Sequence, residues 1–159
     1  MQGTVLSINE IGRIIDEGLK NDSSNISPPN LITKKSLVAE EILKMFMNQI
    51  SSLKNLTYFN FLHYINYISF TCFPGARNCL KDLTQLHCSS NIGVESEFLY
   101  HLSQMCHKIQ SLNITFEHDI QNGLTDLISV QKNLKNLNRF NHGQKIFIKP
   151  ISSITDLQV

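Results

Sequence analysis

The sequence has few of the features that mark nucleic-acid binding or membrane insertion. It contains no tryptophan, its charged residues make up 17% of the chain, and its formal net charge is +1. Phosphate binding depends on clustered Lys and Arg, so this near-neutral chain does not favour nucleic acid as a partner. No apolar run approaches the roughly 18 residues that cross a bilayer, and we therefore predict no membrane-spanning segment. The 42% hydrophobic content is typical of a globular domain.

Signatures of catalysis are also missing. The sequence has no Gly-x-Ser-x-Gly elbow, no phosphate-binding glycine loop and no His-Glu-x-x-His motif. The acidic pairs Glu40–Glu41 and Glu95–Glu97 have the spacing of solvated helix faces rather than of an acid–base dyad. We therefore predict that the protein is not an enzyme, and we expect no catalytic residues and no cofactor.

The cysteines are too scattered to predict a metal site. Cys72, Cys79, Cys88 and Cys106 form no Cys-x-x-Cys pair, and none has a histidine at a zinc-finger interval. The N-terminal residues lack the basic and apolar regions of a signal peptide. We predict buried or half-buried reduced thiols, with a zinc site or a disulfide framework as the alternative, and an intracellular location in the cytoplasm or nucleus.

A spacing that changes from helical to strand-like recurs along the chain. Starting at residue 98, apolar residues follow at increments of 4, 4, 3, 3 and 2, and the same increments start at residue 42. The two sets are Phe98, Leu102, Cys106, Ile109, Leu112, Ile114 and Ile42, Phe46, Ile50, Leu53, Leu56, Tyr58. Steps of 3 and 4 keep residues on one helix face, whereas a step of 2 keeps them on one strand face. Each set therefore predicts a helix that turns at once into a short strand.

The strand portion of this pattern occurs four times, at 53–61, 83–91, 109–117 and 134–142. The starts are separated by 30, 26 and 25 residues, which indicates an internal repeat. We predict an α/β fold: a short leucine-rich-repeat solenoid with a parallel sheet on its concave face and an N-terminal helix. A generic α/β domain with coincidental leucines is the alternative.

One unit matches the full repeat pattern. In Leu83-x-x-Leu86-x-Cys88-x-x-Asn91 the apolar residues would point inward, and the asparagine would cap the turn by bonding free backbone groups. The residues at the asparagine position in the other units depart from the pattern; they are Phe61, Glu117 and His142.

The expected organisation has three parts. Residues 1–36 would hold an N-terminal helix and a polar linker, 37–142 the repeat domain with about four strand units, and 143–159 an irregular tail. The helix is predicted at 7–19, with its apolar stripe formed by Ile8, Ile11, Ile14, Ile15 and Leu19. The linker is predicted at 21–30 from its Ser, Asn and Pro content, and 145–150 could form a strand outside the repeat.

The crossovers between strands are predicted to differ in length. Residues 94–109 are a clear amphipathic helix, with Lys108 in the last turn where a cation stabilises the helix dipole. A shorter helix is predicted at 123–132. A turn at 73–75 precedes, at most, a short helix near 76–83.

The residues between the apolar strand positions would form the exposed face of the sheet. They are Thr57, Phe59, Gln85, His87, Ser111, Asn113, Asn136 and Asn138. A neutral polar face with one aromatic suits hydrogen-bonded recognition of another protein around an anchor residue. We predict a protein-binding role for this face, with a merely solvated surface as the alternative.

Three stretches resemble the expanded fungal F-box/leucine-rich-repeat proteins. They are NYISFTCFPGARNCLKDLTQLHCSSN, FLYHLSQMCHKIQSLNI and NGLTDLISVQKNLKNL. The resemblance, which covers roughly residues 7 to 138, implies a substrate-recognition arm. In that family the arm elsewhere joins an F-box, which docks to the linker of a cullin-type ubiquitin ligase.

An F-box itself is not predicted here. Residues 37–46 resemble an F-box opening, but Val38 replaces its proline, and Ile42 and Leu43 lie one residue late. We expect a partial member of the family that lacks the adaptor half, in which the N-terminal helix covers the first repeat and the chain alone does not bind the ligase linker. Two other functions remain open: a leucine-rich-repeat scaffold unrelated to ubiquitination, and a truncated gene fragment without independent function.

Overall fold

Six strands lie side by side in chain order in the computed structural model, which describes residues 4–20, 27–59, 64–65, 69–90, 95–116, 121–141 and 144–147. The strands are β1 (Val5–Ser7), β2 (Asn55–Phe59), β3 (Gln85–Ser90), β4 (Ser111–Phe116), β5 (Asn136–Asn141) and β6 (Gln144–Phe147). The helices are α1 (Ile8–Gly18), α2 (Pro28–Gln49), α3 (Ala76–Leu80), α4 (Glu95–Ser103) and α5 (Gln121–Ser129). A 3₁₀ turn, Phe70–Cys72, precedes α3.

The strands β1 to β5 are parallel, and β6 pairs antiparallel with β5. Each crossover between parallel neighbours contains at least one of the helices. The predicted α/β class is therefore confirmed.

One leucine from each parallel strand lies in a single row across the sheet. The row consists of Leu6, Leu56, Leu86, Leu112 and Leu137, all of them buried. The last three pairings join residues 30, 26 and 25 positions apart, as the sequence spacing predicts. These leucines belong to one buried cluster that extends through the described part of the chain, so the units share a core.

A repeated backbone contact holds the units in this register. The carbonyl of Thr4 accepts the N–H groups of Lys54 and Asn55 at 3.0 and 3.1 Å. The contact recurs three times, from the Lys54, Thr84 and Gln110 carbonyls to the N–H pairs of Thr84–Gln85, Gln110–Ser111 and Lys135–Asn136. We call these four contacts the shared-carbonyl ladder; it joins all five parallel strands just before each strand begins.

The N-terminal segment contributes a strand that was not predicted. β1 pairs with the start of β2, and the Ser7 hydroxyl then accepts the Glu10 N–H at 3.3 Å to cap α1. The predicted helix at 7–19 is confirmed within a residue at each end. The predicted stripe is only partly right, because Ile14 is 54% exposed whereas Ile11 and Ile15 are buried.

The prediction that the linker extends to residue 30 is wrong, because α2 already begins at Pro28. Proline suits the first turn of a helix, where its missing N–H would have no helical partner. The buried face of α2 is also shifted by one residue from the predicted one. Ala39, Leu43 and Met47 are buried; Ile42, Phe46 and Ile50 are only partly buried. Both sets have helical spacing, so the sequence could not distinguish them.

Later elements correct the predicted boundaries. α4 ends at Ser103, so Lys108 lies beyond it and forms an ion pair with Asp82 at 2.5 Å rather than stabilising the helix end. α3 and α5 lie where short helices were predicted. The tail predicted to be irregular contains β6, which overlaps the expected strand at 145–150. The residues at the predicted turn-capping position, Asn91 among them, lie outside the described part of the chain.

Two glycines permit close backbone contacts. Gly75 has φ 84°, a left-handed conformation that glycine adopts without strain, and it is the N-cap residue directly before α3. A Cβ on Gly123 would lie 2.2 Å from the Ser96 carbonyl oxygen, so α5 packs on α4 only because no side chain is present there. The Gly123 N–H donates to the Ser96 hydroxyl at 3.2 Å in the same contact.

Substituting Gly123→Ala should therefore lower the free energy of unfolding by about 1–3 kcal/mol, because the new methyl group would push α5 away from α4. Gly18→Ala is the matched control, since a Cβ at Gly18 meets nothing within 4 Å and alanine favours the helix. Urea denaturation compares the two. Equal stability for both variants would contradict the close approach.

The inward row of the sheet makes a second prediction. Truncating Leu86, Leu112 or the buried helix residue Leu102 to Ala should each cost about 2–5 kcal/mol, because each leaves a cavity in the shared core. Truncating Gln85, which faces away from the core, should cost almost nothing. Truncating Asn113 should cost no more than about 1 kcal/mol, because it removes only the hydrogen bond from Asn138. Urea midpoints that lacked this alternation would show that the strand register is wrong.

Candidate functional site

The outward side of the parallel sheet carries two rows of aligned residues, which together we call the polar face. One row is Ser7, Thr57, His87, Asn113 and Asn138, and the other is Val5, Asn55, Gln85, Ser111 and Asn136. The rows flank the buried leucine row, because successive side chains of a strand point to opposite faces. All ten residues are exposed or half-buried.

The structure brings together five of the six residues predicted to bind a partner. Thr57, His87 and Asn113 are neighbours in one row, and Gln85 and Ser111 are neighbours in the other. The sixth residue, Phe59, is backbone-paired with Ser89 at the other end of β2, and its side chain lies outside the described part. The predicted surface is therefore one continuous patch at these five positions.

The polar face has almost no formal charge. None of its ten residues is Lys, Arg, Asp or Glu, and Val5, which is 60% exposed, is its one aliphatic residue. Adjacent strands lie about 4.8 Å apart, so five strands span roughly 19 Å between the outer two. Such a surface offers amide, hydroxyl and imidazole groups for hydrogen bonds rather than an electrostatic field.

Two asparagines on neighbouring strands are bonded to each other. The Asn138 side-chain amide donates to the Asn113 side-chain oxygen at 2.6 Å. This bond holds both side chains in a fixed orientation at the β4–β5 end of the polar face. A fixed orientation favours partner binding, because less side-chain freedom is then lost when the partner docks.

His87 lies near the centre of the polar face, between Thr57 and Asn113. Its pKa is lowered from the ordinary value because partial burial removes water that would stabilise the charged imidazolium. The neutral ring, which can both donate and accept a hydrogen bond, is therefore the favoured form at neutral pH.

The strand β1 adds Val5 and Ser7 to the polar face, and neither residue was among the predicted site residues. Leu6 and Ile8 have the two-residue spacing of the other strands, which is the signal that could have revealed β1. That signal was hidden because Ile8 also begins the helical stripe of α1.

On the helical side of the sheet, a buried glutamine joins two units. The Gln131 side chain accepts the Ile109 N–H at 2.9 Å and donates to the carbonyls of Cys106 and Leu127 at 2.5 and 3.0 Å. The contacts with Ile109 and Cys106 satisfy backbone groups of the turn that leads into β4, the strand that carries Ser111 and Asn113. Nothing in the local sequence around Gln131 indicated this role.

The four cysteines are all free thiols. Cys79, Cys88 and Cys106 are buried as predicted, but Cys72 is exposed because it ends a short 3₁₀ turn at the surface. The described residues contain no group of three or more His, Cys, Asp or Glu side chains that could hold a metal ion.

Comparisons with protein-family models, with curated proteins and with solved structures return no match for this chain. Within the part of the chain that the structure describes, no helix is both long enough and apolar enough to cross a membrane.

The lowered pKa of His87 gives a testable pH dependence. Since folding favours the neutral ring, the stabilisation is present above the unfolded-state pKa of this histidine and is lost as the pH falls through the lower folded pKa. NMR titration of the His87 ring protons should therefore give a midpoint below that of a short peptide spanning residue 87. A midpoint equal to or above that of the peptide would contradict the desolvated position.

Proposed function

We propose that this protein is a protein-binding module whose polar face receives a protein partner. The observation that carries the proposal is the alignment of ten uncharged residues on five parallel strands, with no charged residue in either row. Enzymatic chemistry is not part of the proposed role, and neither is a cofactor.

We further propose that the units form a short leucine-rich-repeat solenoid with the polar face on its concave side. The paired leucines at intervals of 30, 26 and 25 residues support this, as does the shared-carbonyl ladder that recurs at every parallel step. A unit of this size cannot bury its apolar face alone, and stacking on its neighbours supplies the core.

A partner that forms hydrogen bonds fits the polar face better than a strongly charged one. The exposed Gln85 and His87 present donors and acceptors at its centre, and the Asn113–Asn138 bond orients a third polar group beside them. The partner is therefore proposed to be a protein segment with exposed amides or hydroxyls.

The resemblance to F-box/leucine-rich-repeat proteins makes the substrate-recognition arm of a ubiquitin ligase the favoured role, and an intracellular location goes with it. An F-box within residues 37–46 is not part of the proposal. This stretch lies inside the continuous helix α2, and its buried residues Ala39 and Leu43 pack into the shared core. Such residues are not available to dock a ligase linker.

In this proposal α1 covers the β1–β2 end of the sheet. Its buried side chains Ile11 and Ile15 join the shared core, and the Tyr64 hydroxyl donates to the Gly12 carbonyl at 2.9 Å. Lys35 of α2 pairs with Asp16 of α1 at 2.8 Å, which ties the two helices together. A leucine-rich-repeat scaffold unrelated to ubiquitination would share all of these features, so binding experiments must separate the two roles.

Partner binding can be tested by proximity labelling in the native cell, followed by affinity measurement with the purified partner. Replacing both Phe59 and His87 with alanine should weaken binding at least about tenfold, because interface hot-spot residues each contribute on the order of 1–2 kcal/mol or more. The melting temperature should change little.

The matched control is the double variant Tyr100→Ala/His107→Ala, which removes one exposed aromatic and one exposed histidine away from the polar face. It should bind as the unmodified chain does. The proposed surface would be overturned if both double variants lost binding equally. It would also be overturned if the Phe59/His87 variant lost binding and had a lower melting temperature.

The ligase role has its own test. We expect the purified chain not to co-elute with the cullin linker protein in size exclusion at micromolar concentration, because no F-box surface is proposed in it. Removing residues 1–20 should cause aggregation, since the apolar side chains under α1 would then be uncovered. Co-elution with the linker would contradict the absence of linker binding. A truncated chain that stays monomeric would contradict the covering role of α1.

A further inference from the structure

One exposed cysteine lies beside a histidine that comes from a different crossover. Cys72 ends the 3₁₀ turn before α3, and its Sγ is 3.6 Å from Nδ1 of His101 in the last turn of α4. The two residues are 29 positions apart in the sequence, so the pairing exists only in the folded chain. A thiol within reach of an imidazole nitrogen is the arrangement that activates cysteine nucleophiles.

The surroundings orient the imidazole. Nε2 of His101 faces the Glu97 carboxylate one helical turn earlier, at 3.9 Å. A carboxylate on that side favours the tautomer that carries its proton on Nε2, and the Nδ1 lone pair is then directed at its neighbours on the other side. Those neighbours are the Cys72 thiol and the Thr71 hydroxyl, which lies 3.2 Å from Nδ1. The buried Thr71 hydroxyl therefore competes with the thiol for the same nitrogen.

The other thiols are protected from such chemistry. Cys79, Cys88 and Cys106 are buried in the shared core. Burial raises the pKa of the Cys106 thiol to about 12 and raises that of Cys79 as well, so the reactive thiolate is disfavoured at both sites. Of the four cysteines, Cys72 alone combines exposure with a base at hand.

We propose that Cys72 is a thiol–disulfide exchange site for small uncharged disulfides, with His101 as its base. The Cys72 thiol gives its proton to Nδ1 of His101 as its sulfur attacks one sulfur of the disulfide. A new S–S bond forms to Cys72, the S–S bond of the reagent breaks, and the departing thiolate takes the proton back from His101. The disulfide is the only co-reactant, and the products are a mixed disulfide on the protein and one free small thiol.

The expected reagent is uncharged because the Glu97 carboxylate lies on the far side of the base and disfavours an anionic reagent. The site is separate from the polar face, since it is built from crossover residues whereas the face is built from strand residues. The inference therefore does not depend on the proposed partner binding.

The test measures the initial rate of mixed-disulfide formation by mass spectrometry, using the full chain and 2-hydroxyethyl disulfide at neutral pH. Peptide mapping should find the adduct on Cys72, and Cys72→Ser should remove it. His101→Ala should slow the reaction by about tenfold or more, because general bases contribute at least that much when well placed. Added imidazole should restore part of the lost rate, which a merely structural histidine would not do.

Two further variants sharpen the result. His107→Ala, which removes an exposed histidine outside the cluster, should leave the rate unchanged. Thr71→Val should raise the rate, because it removes the hydroxyl that competes for Nδ1 while keeping the shape of the side chain.

Equal rates with and without His101, no response to imidazole, or a first adduct on another cysteine would overturn the proposal. If His101→Ala unfolds the protein, peptide mapping will show adducts on all four cysteines. In that case the rate of mixed-disulfide formation in Thr71→Val is the deciding measurement. A higher rate at Cys72 alone supports the proposal, and an unchanged rate rejects it.

Discussion

The shared-carbonyl ladder is the contact on which the rest of the structure depends. At each step one carbonyl accepts two consecutive N–H groups of the next unit, and this fixes where the following strand begins. A slip of one residue would send the leucine row to solvent and the polar face into the core. The hydrophobic core and the polar face are therefore two results of one backbone register, and neither could form without the other.

The units reach this common register although their crossovers differ. The turn into β2 donates the Leu53 N–H to the Cys79 carbonyl at the end of α3, at 2.8 Å. At the equivalent position before β4, the Ile109 N–H donates to the side-chain oxygen of Gln131 rather than to a helix carbonyl. A side-chain amide oxygen thus takes the place of a backbone carbonyl as the acceptor before β4. This substitution explains why the polar side chain of Gln131 is buried.

The sequence predicted what is periodic and missed what is not. Four of the five parallel strands and their separations followed from the apolar spacing, and so did most of the polar face. β1 was not predicted because Ile8, one of the two apolar residues that indicate it, is also the first residue of the helix α1. The inward face of α2 was misassigned because two apolar sets have the same spacing. Gln131 and the Cys72–His101 pair were not predicted because the contacts that join different units, from Gln131 to Ile109 and from Cys72 to His101, link residues 22 and 29 positions apart. No local sequence pattern indicates such a contact.

The reversal of direction at β6 has a consequence for assembly. A stack of parallel strands has a polarity, and in a second copy the strand β1 could pair with β5 just as β5 pairs with β4. Such head-to-tail joining adds one copy after another, and it leads to an open fibre unless the rotation between copies closes a ring. Because β6 already pairs with that edge of β5 in the antiparallel direction, β1 of a second copy cannot pair there. The four-residue strand β6 therefore blocks parallel addition of a second copy at this edge of β5.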